Sequence, residues 1–197
     1  LRLLSKTFYA LLSAMSKQCE DISSELAAWM SQQRVFFVAT APLSPDGHIN
    51  TSPKGGDAFR ILGPMEVVYQ DYTGSGAETA AHLRENGRIV MMFCAFDGPP
   101  KIVRLHGHGT VVTPGADRFT EFSSLFPANP GTRAFVHVAV QRVSESCGFS
   151  VPFFDFRGHR DALDRWAATK DPSELDAYRA AKNQISIDGL PAFDRNA

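Results

Sequence analysis

No stretch of this 197-residue chain approaches the run of roughly 20 apolar residues that a bilayer-crossing helix needs, so no membrane span is expected. Cysteine is scarce. Cys19, Cys94 and Cys147 are the three, widely spaced and odd in number, which argues against a disulfide framework or a zinc knuckle and favours a reducing, cytoplasmic compartment. An excess of either charge is also missing. The 20 Lys and Arg against 21 Asp and Glu leave a formal charge of -1, without the clustered basic surface of a nucleic-acid or acidic-membrane binder. There is no Walker loop, no Ser-His-Asp order and no paired-carboxylate motif, so hydrolase and nucleotide-triphosphatase chemistry has no support. No glycine motif follows a first strand as G-x-G-x-x-G, which removes the doubly wound dinucleotide fold.

What is present is the composition of an ordinary globular protein, with length for one well-buried core. Residues 1–14 are basic, free of acids and followed by Met15; an organelle-targeting remnant, an upstream extension and a short docking helix all stay open for them. The spacing of Ile22, Leu26, Trp29 and Met30 predicts a first helix with Asp21 as its cap. Residues 35–41 form a β-prone run stopped by Pro42, and Pro45-Asp46-Gly47 turns the chain into a second strand over 48–52. A third strand is expected over 65–71, a helix over 78–86 with Asn86-Gly87 at its end, and further strands over 88–96, 101–113 and 135–143. A helical stretch is expected near 117–126. Asp171-Pro172-Ser173-Glu174 combines an N-cap acid, Pro at the first helical position and a capping-box Glu, which predicts a helix over 172–183. Six strands with hairpin-like connections, interrupted by short helices, predict a mainly β chain closed or split as an antiparallel barrel.

The densest polar chemistry lies between residues 49 and 79. Strand alternation places Asn50, Ser52 and Lys54 on one side, where all three can face one ligand. Thr73-Gly74-Ser75-Gly76 follows the third strand and leads into the helix at Glu78. Amides freed by glycines and a helix N-terminus, the hydroxyls of Thr73, Ser75 and Thr79, and Lys54 nearby suit a terminal phosphate. The same residues also make a common loop and a solvated strand-end lysine, and the pattern alone does not separate the two. Farther on, Val103, Leu105 and Gly107 alternate with Arg104, His106 and His108, and His137 can join the second set from the last strand. Histidines at i, i+2 without Cys or carboxylate partners favour surface or pocket-lining groups, so no metal is assigned.

The order Ser-Pro-Lys-Gly at 52–55, Gly-Ser-Gly-Ala-Glu-Thr-Ala-Ala-His-Leu-Arg-Glu-Asn-Gly-Arg at 74–88, Met91-Met92-Phe93-Cys94 and Gly98-Pro99-Pro100 closely resembles the pyridoxamine 5'-phosphate oxidase-like FMN-binding split-barrel family, from about Ser23 to Val143. The tail, from Ser146-Cys147-Gly148 to Ile187-Asp188-Gly189-Leu190-Pro191, is similar to one subgroup rather than to the vitamin B6 oxidase itself. The resemblance implies a six-stranded antiparallel split β-barrel over 21–145, an extension at 1–20, and a helical extension at 146–197 packing on the barrel or a dimer interface. It implies a homodimer holding FMN between subunits, with haem or F420 as alternative occupants. Lys54 is implied for the phosphate, and Tyr69, Gln70 and Asp71, with Tyr72, for the ribityl chain and ring. Cys147 is expected as a structural thiol near that interface. The oxidase's adjacent Ser-Arg-Lys set is replaced here by the stretch from Thr73 to Thr79, without Arg or Lys, and Glu78 would oppose an anion if it pointed inward. The expected function is an FMN-dependent oxidoreductase acting on a small molecule other than pyridoxamine phosphate, with no catalytic residue assigned. The alternative is a non-catalytic flavin- or haem-binding protein.

Overall fold

The computed structural model describes residues 16–194, so the readings of residues 1–14 lie outside the described residues. Eight strands form one antiparallel sheet: β1 (Ser16–Cys19), β2 (Val35–Thr40), β3 (Asn50–Gly55), β4 (Phe59–Gly63), β5 (Glu66–Tyr72), β6 (Arg88–Cys94), β7 (Ile102–Val112) and β8 (Thr132–Ser146). Their order is β3-β2-β6-β7-β8-β5-β4, with β1 paired to the far end of β8. Six strands were expected, and the two additional ones carry weak local signals. β1 has no apolar alternation, and β4 is a five-residue strand hemmed in by Gly55-Gly56-Asp57 and Gly63-Pro64, which read as turns.

The sheet curls until its two ends meet across the interior. Phe36 of β2 touches Phe59 of β4 and Tyr69 of β5, with ring centroids 5.5 and 5.8 Å apart, although these strands are not ladder neighbours. Phe36 also stacks on Phe93 at 5.5 Å, and Phe59 meets Phe93 at 5.0 Å. This aromatic knot, with Val38, Met91, Val103, Leu105 and Val138, fills the barrel. Each such side chain removed from water contributes about 1.5–3 kcal/mol. A smaller core on the outer face, Val68, Val112, Phe122, Phe126 and Phe135, lies beneath α3 (Phe119–Ser123).

α1 (Ser24–Ser31) is capped by Ser23, whose hydroxyl accepts from the Leu26 amide at 3.2 Å; the expected cap at Asp21 lies two residues too early. Leu26 and Met30 are its buried face. α2 (Glu78–Asn86) ends at Gly87 with φ +70°, where a Cβ would run into the His108 ring, so only glycine closes this helix. α4 (Ala162–Ala168) and α5 (Pro172–Lys182) follow, and α5 begins with the expected reciprocal capping box between Asp171 and Glu174. No helix of the described residues is long and apolar enough to cross a membrane.

Candidate functional site

Asn50, Ser52 and Lys54 share the inner face of β3, opposite Thr40, Val38 and Phe36 of β2. α2 lies over the end of this strand pair. Thr79 and His82, one helical turn apart, meet Asn50 and Thr40 respectively: Asn50 Nδ2 donates to Thr79 Oγ1 at 2.9 Å, and His82 Nδ1 lies 2.9 Å from Thr40 Oγ1. Ser52 Oγ donates to Asn50 Oδ1 at 3.2 Å, which makes a neutral hydrogen-bonded chain from β3 to the first turn of α2. His82 is fully buried and its Nε2 has no partner among the described residues; burial holds its pKa below the ordinary imidazole value.

Two residues farther along β3, Lys54 Nζ reaches Asp71 Oδ1 of β5 at 2.8 Å and so bridges the split between the two ends of the sheet. The other oxygen of Asp71 accepts from Arg133 Nε at 2.7 Å. Side-chain exposures of 5% for Asp71 and 8% for Arg133 make this a buried ion cluster. Burial alone would raise the Asp71 pKa, but Lys54 and Arg133 outweigh it and hold the carboxyl below its ordinary value. Arg133 occupies the extra position of a bulge, since Asp71 pairs with Ala134 and Tyr72 with Thr132. The bulge re-aims its side chain inward.

The turn that follows β5 is gripped from behind by the C-terminal segment. Arg179 Nε donates to Thr73 Oγ1 at 2.9 Å, Asn183 Nδ2 donates to the Gly74 carbonyl at 2.7 Å, and Arg133 reaches the same carbonyl at 3.4 Å. Neither Gly74 nor Gly76 has a left-handed φ, so the turn does not depend on the usual conformational licence of glycine. Among the described residues the amides of Ser75 and Gly76 have no protein acceptor. Glu78 folds back over the start of α2: its carboxylate lies against Gly76 and accepts from the Ala77 amide at 3.1 Å and the Ile187 amide at 3.3 Å.

The fold therefore divides the expected residues. Asn50, Ser52 and Thr79 come together, Lys54 and Asp71 pair beside Tyr69, and Ser75 is exposed at the turn. Thr73 is buried with its hydroxyl turned to Arg179. Gln70 and Tyr72 occupy the opposite face of β5, where Gln70 Nε2 donates to Thr132 Oγ1 at 2.6 Å and the Tyr72 hydroxyl donates to Gln70 Oε1 at 3.0 Å. His106 and His108 are exposed, whereas His137 is held 2.7 Å from Glu66 and stacked on Phe122. Among the described residues no group of three His, Cys, Asp or Glu could hold a metal ion. The three cysteines are free, with Cys94 buried and its thiol pKa raised by burial.

Arg133, Arg179 and Asn183 were not anticipated. A signal for Arg133 existed: it is a lone charge entering the apolar run 134–136, as Asp71 is a lone charge leaving the apolar run 67–69. Arg179 and Asn183 lie more than a hundred residues from the turn they hold, and nothing local announces them. A cavity of about 290 Å³ between α2, β7 and the C-terminal segment, lined by Leu83, His108, Gly109 and Phe193, does not include these polar clusters.

The donor set fits an anion. Two cations, Lys54 and Arg133, face one buried carboxylate, and among the described residues the turn adds two amides without acceptors beside the N-terminus of α2. A curled antiparallel sheet of this strand order is a split β-barrel. Residues 22–147 match the pyridoxamine 5'-phosphate oxidase family, and the chain belongs to that family. It is 38% identical over 191 residues to the pyridoxamine 5'-phosphate oxidase family protein ustO of Aspergillus flavus, covering 88% of this chain and 76% of that protein. A crystal structure from Lactobacillus delbrueckii, of a candidate pyridoxamine 5'-phosphate oxidase, is 15% identical and covers 64% of this chain and 98% of that one at a TM-score of 0.50, a likeness of fold alone.

Proposed function

We propose that the protein is an FMN-dependent oxidoreductase acting on a small molecule. The observation that carries this reading is the neutral chain Asn50–Ser52–Thr79 beside the open amides of Ser75 and Gly76, backed by a buried cluster in which two cations face one carboxylate. In this reading Asn50, Ser52, Ser75, Thr79 and the turn amides touch the phosphate, while Lys54 and Arg133 supply its countercharge from behind. Tyr69 and Asp71 support Lys54, and Gln70 and Thr73 act through the strand and turn that they brace. Bound FMN supplies two-electron chemistry; the chain's own residues bind, orient and exclude water. Pyridoxamine phosphate is not the expected substrate, because the adjacent basic set of the vitamin B6 oxidase is absent from residues 73–79.

Residues 21–145 are read as the binding domain and 146–197 as an extension that braces it and meets a second subunit. Exposed Phe149, Phe153, Phe154 and Phe156 in that extension support a homodimer. Three free cysteines fit a reducing, cytoplasmic setting. A second reading, a flavin holder without catalysis, is supported by the clusters themselves, since Asp71 is ion-paired and His82 buried, so neither is free to move a proton.

The test is an absorbance spectrum of the purified protein with added FMN, then a nicotinamide donor. Flavin peaks that bleach on reduction support the oxidoreductase, flavin that no donor reduces supports the holder, and no FMN binding at all overturns both.

A further inference from the structure

We infer that Asn183, on the C-terminal segment outside the residues that match the family, is a positioning residue that sets the direction of the Gly74–Ser75 peptide and so presents the Ser75 amide to an anion. The inference rests on the phosphate reading of the site. In a trans peptide the carbonyl of one residue and the N–H of the next point in opposite directions. The Gly74 carbonyl is held from the C-terminal side by Asn183 Nδ2 at 2.7 Å, with Arg133 as a longer second donor at 3.4 Å. The Ser75 N–H is therefore aimed away from the C-terminal segment, and it meets no protein acceptor among the described residues.

Asn183 is built for this single contact. It is 1% exposed, its Oδ1 has no partner among the described residues, and its own backbone is pinned on both sides: its amide donates to the Arg179 carbonyl at 2.8 Å and its carbonyl accepts from the Phe193 amide at 3.2 Å. Phe193 in turn packs under the Arg133 guanidinium at 4.9 Å, so both donors to Gly74 depend on one segment. A Gly-Ser peptide rotates easily when nothing holds its carbonyl, since glycine adds no Cβ barrier. Rotation would turn the Ser75 N–H inward and put a carbonyl oxygen where the anion belongs.

The experiment compares the wild-type chain with Asn183→Ala and Ser75→Pro, the latter at an exposed position and lacking the N–H itself. Two readouts are taken: the ratio of riboflavin to FMN dissociation constants, which isolates the phosphate, and the Ser75 amide resonance during titration with inorganic phosphate. Loss of one charge-assisted hydrogen bond should lower the ratio about tenfold or more in both variants. In Asn183→Ala the Ser75 resonance should move in the free protein and lose its phosphate response. An unchanged ratio and resonance in Asn183→Ala overturns the inference, and so does a wild-type ratio in Ser75→Pro should Asn183→Ala fail to fold. Wild-type protein that binds neither FMN nor phosphate defeats the flavin reading; a Ser75 resonance that still moves in Asn183→Ala then upholds the peptide lock by itself.

Discussion

The two polar clusters on the inner face, only two residues apart along β3, are built in opposite ways. Around Asp71 the charges are consumed internally, Lys54 on one carboxylate oxygen and Arg133 on the other, all largely shielded from water. Around Asn50 the partners are neutral, bonded to one another, and next in the fold to amides with no protein acceptor among the described residues. A ligand that pulled Lys54 off Asp71 would leave a buried charge short of a partner, at a cost of several kcal/mol, whereas the neutral chain can exchange a partner for roughly the net worth of one hydrogen bond. The charged cluster is thus framework with a fixed positive field, and the neutral one is the surface that changes hands.

The largest test of this contrast is Asp71→Asn, which leaves two buried cations facing a neutral amide. It should lower stability by about 3–5 kcal/mol in urea unfolding. A loss below about 1 kcal/mol would mean that the cluster is wetter than its burial indicates. Ser52→Ala and Asn50→Ala should do the reverse, each weakening FMN about tenfold by calorimetry while stability stays within about 0.5 kcal/mol of wild type. If they unfold the protein and spare binding, the two clusters have been assigned the wrong way round.

Acid should separate the clusters further. Asp71 has a folded pKa below its unfolded value, so its contribution is intact above the unfolded value of about 3.9 and is lost as pH falls through the folded one. The Asp71→Asn variant should lack that part of the acid transition. His82, beside the neutral chain, also has a depressed pKa because of burial, so the unfolded chain takes up its proton first. Stability should therefore decline once pH falls below about 6.5, and His82→Phe should flatten that slope in urea melts across pH 7 to 5. The smallest effect is expected from Asp171→Ala, which removes the α5 cap, costs about 1 kcal/mol and leaves the FMN dissociation constant unchanged.

How much of this was readable beforehand depends on the range of the interaction. α2 and the start of α5 carry their signals within a few residues: Asn86-Gly87 at one end and Asp-Pro-Ser-Glu at the other. The shared side of Asn50, Ser52 and Lys54 follows from pleat alone. The same alternation separates Gln70 from Asp71, which a list of neighbouring polar residues conceals. α1 was placed correctly and capped wrongly, since Asp21 and Ser23 are both good caps and only packing chose between them. β4 escaped because glycine and proline at its borders imitate turns, while its pairing with β5 is what makes it a strand.

The sequence by itself determined the periodic elements, the antiparallel class, and the polar stretch where a ligand belongs, because side-chain period, capping and turn chemistry act over a few residues. Only the tertiary structure decided who neutralises whom. Curling the sheet brought Lys54 to Asp71, a bulge turned Arg133 onto the same carboxylate, and the returning tail placed Asn183 on Gly74. These partners lie 17, 62 and 109 residues apart, and no local propensity reaches across such distances.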